Sequence, residues 1–292
     1  MPGNNRAMKT QTENRYLQRV DRAARLLAER LDDPPDAGEL ARAVAVSRFH
    51  FQRIYRAATG ETVVDTLRRL RALRAIDLLD SGAAVTRVAA AVGYETPQAF
   101  ARAFRQWTGL APGEARGRGA ALAERFRRPD VDDPVPLEVE VTSTRPMRLT
   151  VVRTSRPFGP LNDVYESLFE AVAEQDRLPA VRGIFGLPEN DPASEPDGVE
   201  HHVAGVWLGD ATLDGFDTLV IDRRPALKLR HVGPFERIEE TGLALYRHVV
   251  ERDLALADAP PLHHHLDEPE EVSPERLRTD LYLMLAEAPE GA

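Results

Sequence analysis

Ser47–Arg56 reads SRFHFQRIYR, and Thr96–Arg105 reads TPQAFARAFR. Each opens on a hydroxyl residue suited to a helix N-cap. Each then separates apolar from polar side chains at helical spacing. In the first, Phe51, Ile54, Tyr55 and Ala58 fall at i, i+3, i+4 and i+7 and predict a buried face, leaving Phe49, Gln52, Arg53 and Arg56 to point outward. In the second, Phe100, Ala103, Phe104 and Trp107 point in, and Gln98, Ala101, Arg102 and Arg105 point out. Ser47 and Thr96, Phe51 and Phe100, Arg53 and Arg102, and the Thr-Gly pairs at 59 and 108 are all 49 residues apart. One supersecondary unit is therefore expected twice.

Leu17, Val20, Ala24, Leu27 and Leu31 predict an amphipathic helix that ends before Asp33-Pro34-Pro35. Asp36 and Glu39 read as a capping box, and a tight turn through Ala45 and Val46 leads into the first stretch, giving helix, turn, helix. From about Thr62 to Ser81 the apolar residues Val64, Leu67, Leu70, Leu73, Ile76 and Leu79 recur every three positions. Their stripe drifts around the helix, as a connector between two small bundles requires. Its length of about 27 Å is comparable with the ~34 Å between successive major-groove faces. Val85, Val88, Ala89 and Val92 form a shorter helix with Gly93 as its left-handed stop, and Thr96-Pro97 supplies N-cap and first helical residue for the second reader.

The net charge of −9 averages two unlike halves. Residues 1–128 carry 23 basic and 14 acidic side chains, a net of +9, and the remainder carries 15 and 33, a net of −18. A basic module suits a phosphate backbone that would repel the acidic remainder, so two domains with different tasks are expected. With no cysteine, disulfides and thiolate metal sites are excluded. The polar start and the lack of a long apolar run lead to an expectation of a cytoplasmic protein without a membrane span.

The segments VSRFHFQRIYRAATG and AAAVGYETPQAFARAFRQWTGLAPGEAR resemble the DNA-binding domain of the AraC/XylS family of bacterial transcription regulators, with Gly93, Tyr94, Phe100, Arg102, Phe104, Gly109, Pro112 and Arg116 at signature positions. The resemblance implies double-stranded DNA as partner, with Arg48, Phe49, Gln52, Arg53 and Arg56 of the first helix and Thr96, Gln98, Arg102 and Arg105 of the second at the interface. Ala115 departs from the aromatic usual before Arg116, and Pro97 and Ala101 stand where polar contacts are often found. The Ser47 helix is therefore expected to supply most base discrimination. The expected organisation is a polar tail at 1–14, an all-α tandem helix-turn-helix domain at 15–116, a flexible to semi-extended linker at 117–134, and an α+β domain at 135–288.

In the acidic half, alternation at Val139, Val141, Leu149 and Val151 predicts strands. Arg145–Leu149, Pro157-Phe158 and Val164–Phe169 parallel Arg224–Leu229, Pro234-Phe235 and Leu243–Tyr246, so each half reads β-α-β-β. With LKLRHVGPFERIEETGLALYRHV and SPERLRTDLYLML, this half resembles the GyrI-like effector-binding domain of multidrug- and stress-responsive regulators. The resemblance implies a cleft between the repeats for an amphipathic or cationic molecule. Tyr165, Phe169, Trp207, Phe235, Tyr246 and Tyr282 are its candidate aromatic lining, Trp207 foremost, and Glu200 or Asp280 its acid. The adjacent histidines His263-His264-His265 point alternately to opposite faces of a strand, and no metal site or cofactor is expected. No nucleophile elbow or phosphate loop is present. The expected function is a non-enzymatic, ligand-responsive regulator that reads two major-groove segments, with RNA polymerase as a further partner. The alternatives are a small-molecule hydrolase or a protein-contact module attached to the DNA-binding domain.

Overall fold

The computed structural model describes residues 14–128, 137–157, 162–194 and 198–289. Residues 1–13 of the expected tail, 129–134 of the expected linker, 135–136 of the expected α+β domain and Phe158 lie outside them. Contacts divide the chain into two compact units, Met1–Ala45 with Ala58–Asp132, and Val46–Ala57 with Asp133–Ala292.

Unit one is helical. Asn14 caps α1 (Arg15–Glu29), which buries Tyr16, Val20, Ala23 and Leu27. The stripe includes Tyr16 and Ala23, with Leu17, Ala24 and Leu31 at its half-buried margin. The predicted capping box holds α2 (Ala37–Ala43), with Glu39 N on Asp36 Oδ1 at 2.7 Å and Asp36 N on Glu39 Oε2 at 3.0 Å. The tight turn passes through Ala45, at φ +53. The next helix, α3 (Phe51–Thr59), is cut by the division between the units after Ala57. Thr62 caps α4 (Val63–Asp80), whose C-terminal half gives Ala75, Ile76 and Leu79 to a core shared with α5 (Val85–Ala91) and α6 (Pro97–Thr108).

In that core Phe100 and Phe104 lie with ring centroids 5.5 Å apart, and Tyr94 and Trp107 flank them. Gly93, at φ +76, ends the α5 segment where a Cβ would lie 2.5 Å from Arg71 Nη2 and 2.8 Å from Leu31 O, so the turn requires glycine on both counts. The stretch expected as linker folds in part. Its α7 (Gly119–Glu124) places Leu122 in the same core, Phe126 packs there, and Arg125 Nη1 donates to Thr108 O at 2.8 Å. Leu122 and Phe126 are apolar anchors within what otherwise reads as a Gly-, Ala- and Arg-rich spacer.

In unit two, β1 (Glu140–Ser143), β2 (Met147–Pro157), α8 (Asn162–Glu174), β3 (Gly183–Pro188) and β4 (Val199–Trp207) are followed by the same series again. The second series is β5 (Asp217–Ile221), β6 (Pro225–Val232), α9 (Ile238–Arg252), β7 (Leu262–His265) and β8 (Arg278–Met284). Each repeat thus gains a short strand ahead of the expected β-α-β-β. That strand pairs with the other repeat, β1 on β6 and β5 on β2; β1 overlaps the alternation expected at Val139 and Val141, whereas β5 lies outside the predicted strands. The antiparallel sheet runs β1-β6-β8-β7-β3-β4-β2-β5, an order that exchanging the repeats only reverses, with the approximate two-fold axis between β7 and β3.

Residues paired across antiparallel strands share a face. The pairings His265–Ile184, His263–Gly186, His263–Leu281 and His202–Pro188 put His202, His263, His265, Leu281 and Leu283 on one face, called here the histidine face. Leu149, Val151, Phe185, Val203, Leu262 and Met284 form a core on the other.

Candidate functional site

The two stretches with the same sequence pattern meet different surroundings. In α6 the predicted geometry holds: Thr96 Oγ1 accepts from Ala99 N at 3.1 Å, and Pro97 stands at the first helical position. Thr96, Gln98, Arg102 and Arg105 are exposed, while Phe100 and Phe104 are buried. One face of this helix therefore presents an amide and two guanidiniums to solvent at successive turns.

In α3 the outward face does not exist. Phe51, Ile54 and Tyr55 are buried as predicted, but Gln52 and Arg53 are buried too, at 6% and 4% exposure, and Phe49 and Arg56 are half-buried. Arg48 alone of this set is exposed, its guanidinium 4.6 Å from the Phe49 ring centroid. Helical spacing separates the polar face from the apolar one correctly. What covers the polar face is a set of polar groups from unit two, which periodicity within α3 cannot reveal.

Those partners are specific. Ser47 Oγ donates to Asp258 Oδ1 at 2.6 Å and accepts from Phe49 N at 3.3 Å. The helix itself starts at Phe51, later than the cap position suggests. His50 stands between α9 and the loop after it, with Nδ1 2.7 Å from Tyr246 Oη and Nε2 3.1 Å from Ala257 O. A carbonyl only accepts, so Nε2 carries a proton, and when the ring is neutral Nδ1 accepts from the tyrosine. Burial holds its pKa down at about 4.

Arg53 donates to Phe49 O at 3.1 Å and to Asn190 O, and its Nη2 lies 3.6 Å from Glu239 Oε1. Arg56 reaches Asp191 Oδ1 at 3.2 Å and Glu239 Oε2 at 3.3 Å. Buried charges persist where ionic and hydrogen-bond partners replace water, and these partners come from both repeats: Asn190 and Asp191 from the loop between β3 and β4, Glu239 from α9.

Arg53 also lines a small cleft with Ile238, Glu239, Gly242, Leu245, Tyr246, Pro261, His263, Leu281, Tyr282 and Leu283; with the arginine in place its cavity volume is about 20 Å³, room for roughly one water, and it is partly open to solvent. Of the predicted effector-site residues, Tyr246 and Tyr282 border it.

The others divide. Tyr165 Oη donates to Phe185 O at 3.0 Å and sits 3.4 Å from His202 Nε2. Gly186 permits that approach, for a Cβ there would lie 3.0 Å from the hydroxyl and 2.9 Å from His202 Nε2. Glu200 is buried beside His202, Oε1 3.4 Å from Nδ1, and Oε2 accepts no hydrogen bond among the described residues. Burial and the nearby Glu200 carboxylate raise the Tyr165 pKa. Phe235 meets the His265 ring edge-on at 5.1 Å, and Phe169 is half-buried on α8.

Trp207 pairs with Leu149 and Gly183 and packs in the opposite core, so strand parity removes it from the histidine face. Asp280 is already held by Arg230 through Nε at 2.7 Å and Nη2 at 2.9 Å, and pairs on β7 with His264, on the face away from His263. Glu239 and Asp191 are the acids the sequence reading missed. A carboxylate in the first turn of α9, next to an apolar run, was the available signal for Glu239.

Residues 137–286, just over half the chain, match the family model described as GyrI-like small molecule binding domain, and residues 40–118 match the model described as Helix-turn-helix domain. SoxS of Escherichia coli K12, a regulatory protein, is 30% identical over 91 residues, 31% of this chain and 85% of SoxS. The MmsAB operon regulatory protein of Pseudomonas aeruginosa is 40% identical over 74 residues, and this chain spans 24% of its length. The crystal structure of the EcmrR C-terminal domain is 13% identical, covering 52% of this chain and 99% of that one with a TM-score of 0.44. No described helix is long and apolar enough to cross a membrane. The chain belongs to the GyrI-like small-molecule-binding family and carries an AraC-type helix-turn-helix module.

Proposed function

We propose that this GyrI-like chain is a one-component transcription regulator that binds double-stranded DNA through its helix-turn-helix module and an amphipathic or cationic small molecule through unit two. RNA polymerase is the further partner in this reading, the cytoplasm its location, and binding rather than catalysis its task. The observation that carries it is the solvent-facing row Gln98, Arg102 and Arg105 on a helix that Thr96 caps and Phe100 and Phe104 anchor. In this reading α6 is the ready reader, and α3 is withheld by the burial of Gln52 and Arg53. That reverses the order of importance expected from Pro97 and Ala101.

The test uses duplexes selected from a random library by the full chain. Arg102→Ala is expected to lower specific affinity by roughly 1 to 3 kcal/mol, as the loss of a base-contacting arginine does. Unchanged affinity for those duplexes would take Arg102 off the interface.

A further inference from the structure

We propose that the cleft at Glu239 is a binding site for an organic cation bearing a guanidinium or ammonium head on an apolar stem, and that Arg53 fills it until such a ligand arrives. The inference rests on reading unit two as the effector domain and adds which acid receives the ligand and what the ligand must displace. Arg53 is itself a guanidinium on an aliphatic stem. It shares the cleft with the apolar Ile238, Leu245, Leu281 and Leu283 and brings its head to Glu239. A group of that chemistry in the cleft describes what else the cleft accepts.

Two observations separate this site from an ordinary structural ion pair. Glu239 keeps 32% of its side chain exposed while Arg53 keeps 4%, so the acid can be reached from solvent before the arginine has moved. Gly242 lies inside α9, where glycine costs about 1 kcal/mol relative to alanine. It borders the cleft, and a Cβ built on it meets nothing within 4 Å. The helix thus carries an unfavourable residue where a side chain would project into open space.

Entry of a cation at Glu239 competes with Arg53 on Oε1 and with Arg56 on Oε2, and Arg56 keeps Asp191 when Glu239 is taken. The ligand then favours the state in which the segment from Val46 to Ala57 has left unit two, and it shifts the equilibrium by its difference in affinity for the two states. Effector binding and withholding of the first DNA reader become one competition for one carboxylate.

The test is calorimetric titration of the full chain with benzylguanidinium and its neutral isostere benzylurea, together with hydrogen exchange across Phe51–Thr59. The cation is expected to bind, the urea not to, and exchange in that segment is expected to rise at saturation. Arg53→Met, which removes one of the two guanidiniums on Glu239 and leaves that of Arg56, is expected to bind the cation at least about tenfold more tightly. Gly242→Leu, which fills the space without touching a charge, is expected to bind it at least about tenfold more weakly, a change of ~1.4 kcal/mol in each case.

No binding of the cation, equal binding of the urea, or unchanged exchange in Phe51–Thr59 at saturation overturns the proposal. So does unchanged affinity in Arg53→Met or, should that variant fail to fold, in Gly242→Leu. Duplex binding by the same preparations separates the two readings. A chain that binds DNA but fails these tests loses only the Glu239 site, whereas one that binds no duplex loses the regulator reading itself.

Discussion

Taking the full chain from pH 7.5 to pH 5 is expected to destabilise unit two by about 2 kcal/mol through His50 alone, measured by denaturant unfolding at each pH. His50 is neutral in the fold, with a pKa held near 4 by burial, against 6.5 for an unperturbed ring. Between those values the unfolded chain binds a proton that the folded chain does not, so stability is complete above about pH 6.5 and is lost as pH falls toward 4. Burial likewise lowers His265, to about 3, and His263. Both are partly exposed, so their contributions in the same direction are smaller. Protonation also turns His50 Nδ1 into a donor, which faces the Tyr246 hydroxyl that now donates to it. His50→Gln is expected to flatten the profile. Equal stability of the native chain at the two pH values would show that His50 is not held neutral in the fold.

Phe100→Ala is expected to cost unit one about 3 to 5 kcal/mol, the range for deleting a fully buried aromatic ring. Phe100 is 0% exposed and packs with Phe104 and Tyr94. The ring anchors the inner face of α6, so the variant should also lose specific DNA binding although Gln98, Arg102 and Arg105 are untouched. Chemical denaturation checks the first effect and duplex titration the second. A loss below about 1 kcal/mol would mean that the core collapses around the missing ring, contrary to the packing described.

Much of unit one was legible because its signals are local. The Asp36–Glu39 capping box, the Gly93 stop and the Thr96-Pro97 start each involve residues within a few positions of one another, and each stands in the fold as expected. The 49-residue register also predicted two like helices. It did not predict their surroundings, because helical periodicity sorts faces but says nothing about what covers them. Gln52 and Arg53 lie on the polar face of α3 and are buried by Ser194, Asn190 and Glu239, more than 130 positions away in the chain.

In unit two the repeat was legible from its parallel segments and β1 from the alternation at Val139 and Val141, whereas β5 and the pairing of both short strands across the repeats were not. The list of candidate aromatics ignored strand parity. Counting alternate residues from His202 to Trp207 already separates them onto opposite faces. Asp280 stands on the face away from His263 and is held by its cross-strand neighbour Arg230, which becomes visible only once β6 and β8 are paired in register.

The central claim is that the fold withholds its first reader and presents its second. Phenylglyoxal labelling of the full chain, read arginine by arginine by mass spectrometry, tests it most directly. Arg48, Arg102 and Arg105 are exposed and Arg53 is buried against Asn190 and Glu239. The expected result is rapid labelling of the first three, with Arg53 slower by at least about tenfold, the ratio a burial free energy of ~1.4 kcal/mol produces. Labelling of Arg53 at the rate of Arg102 would contradict the account.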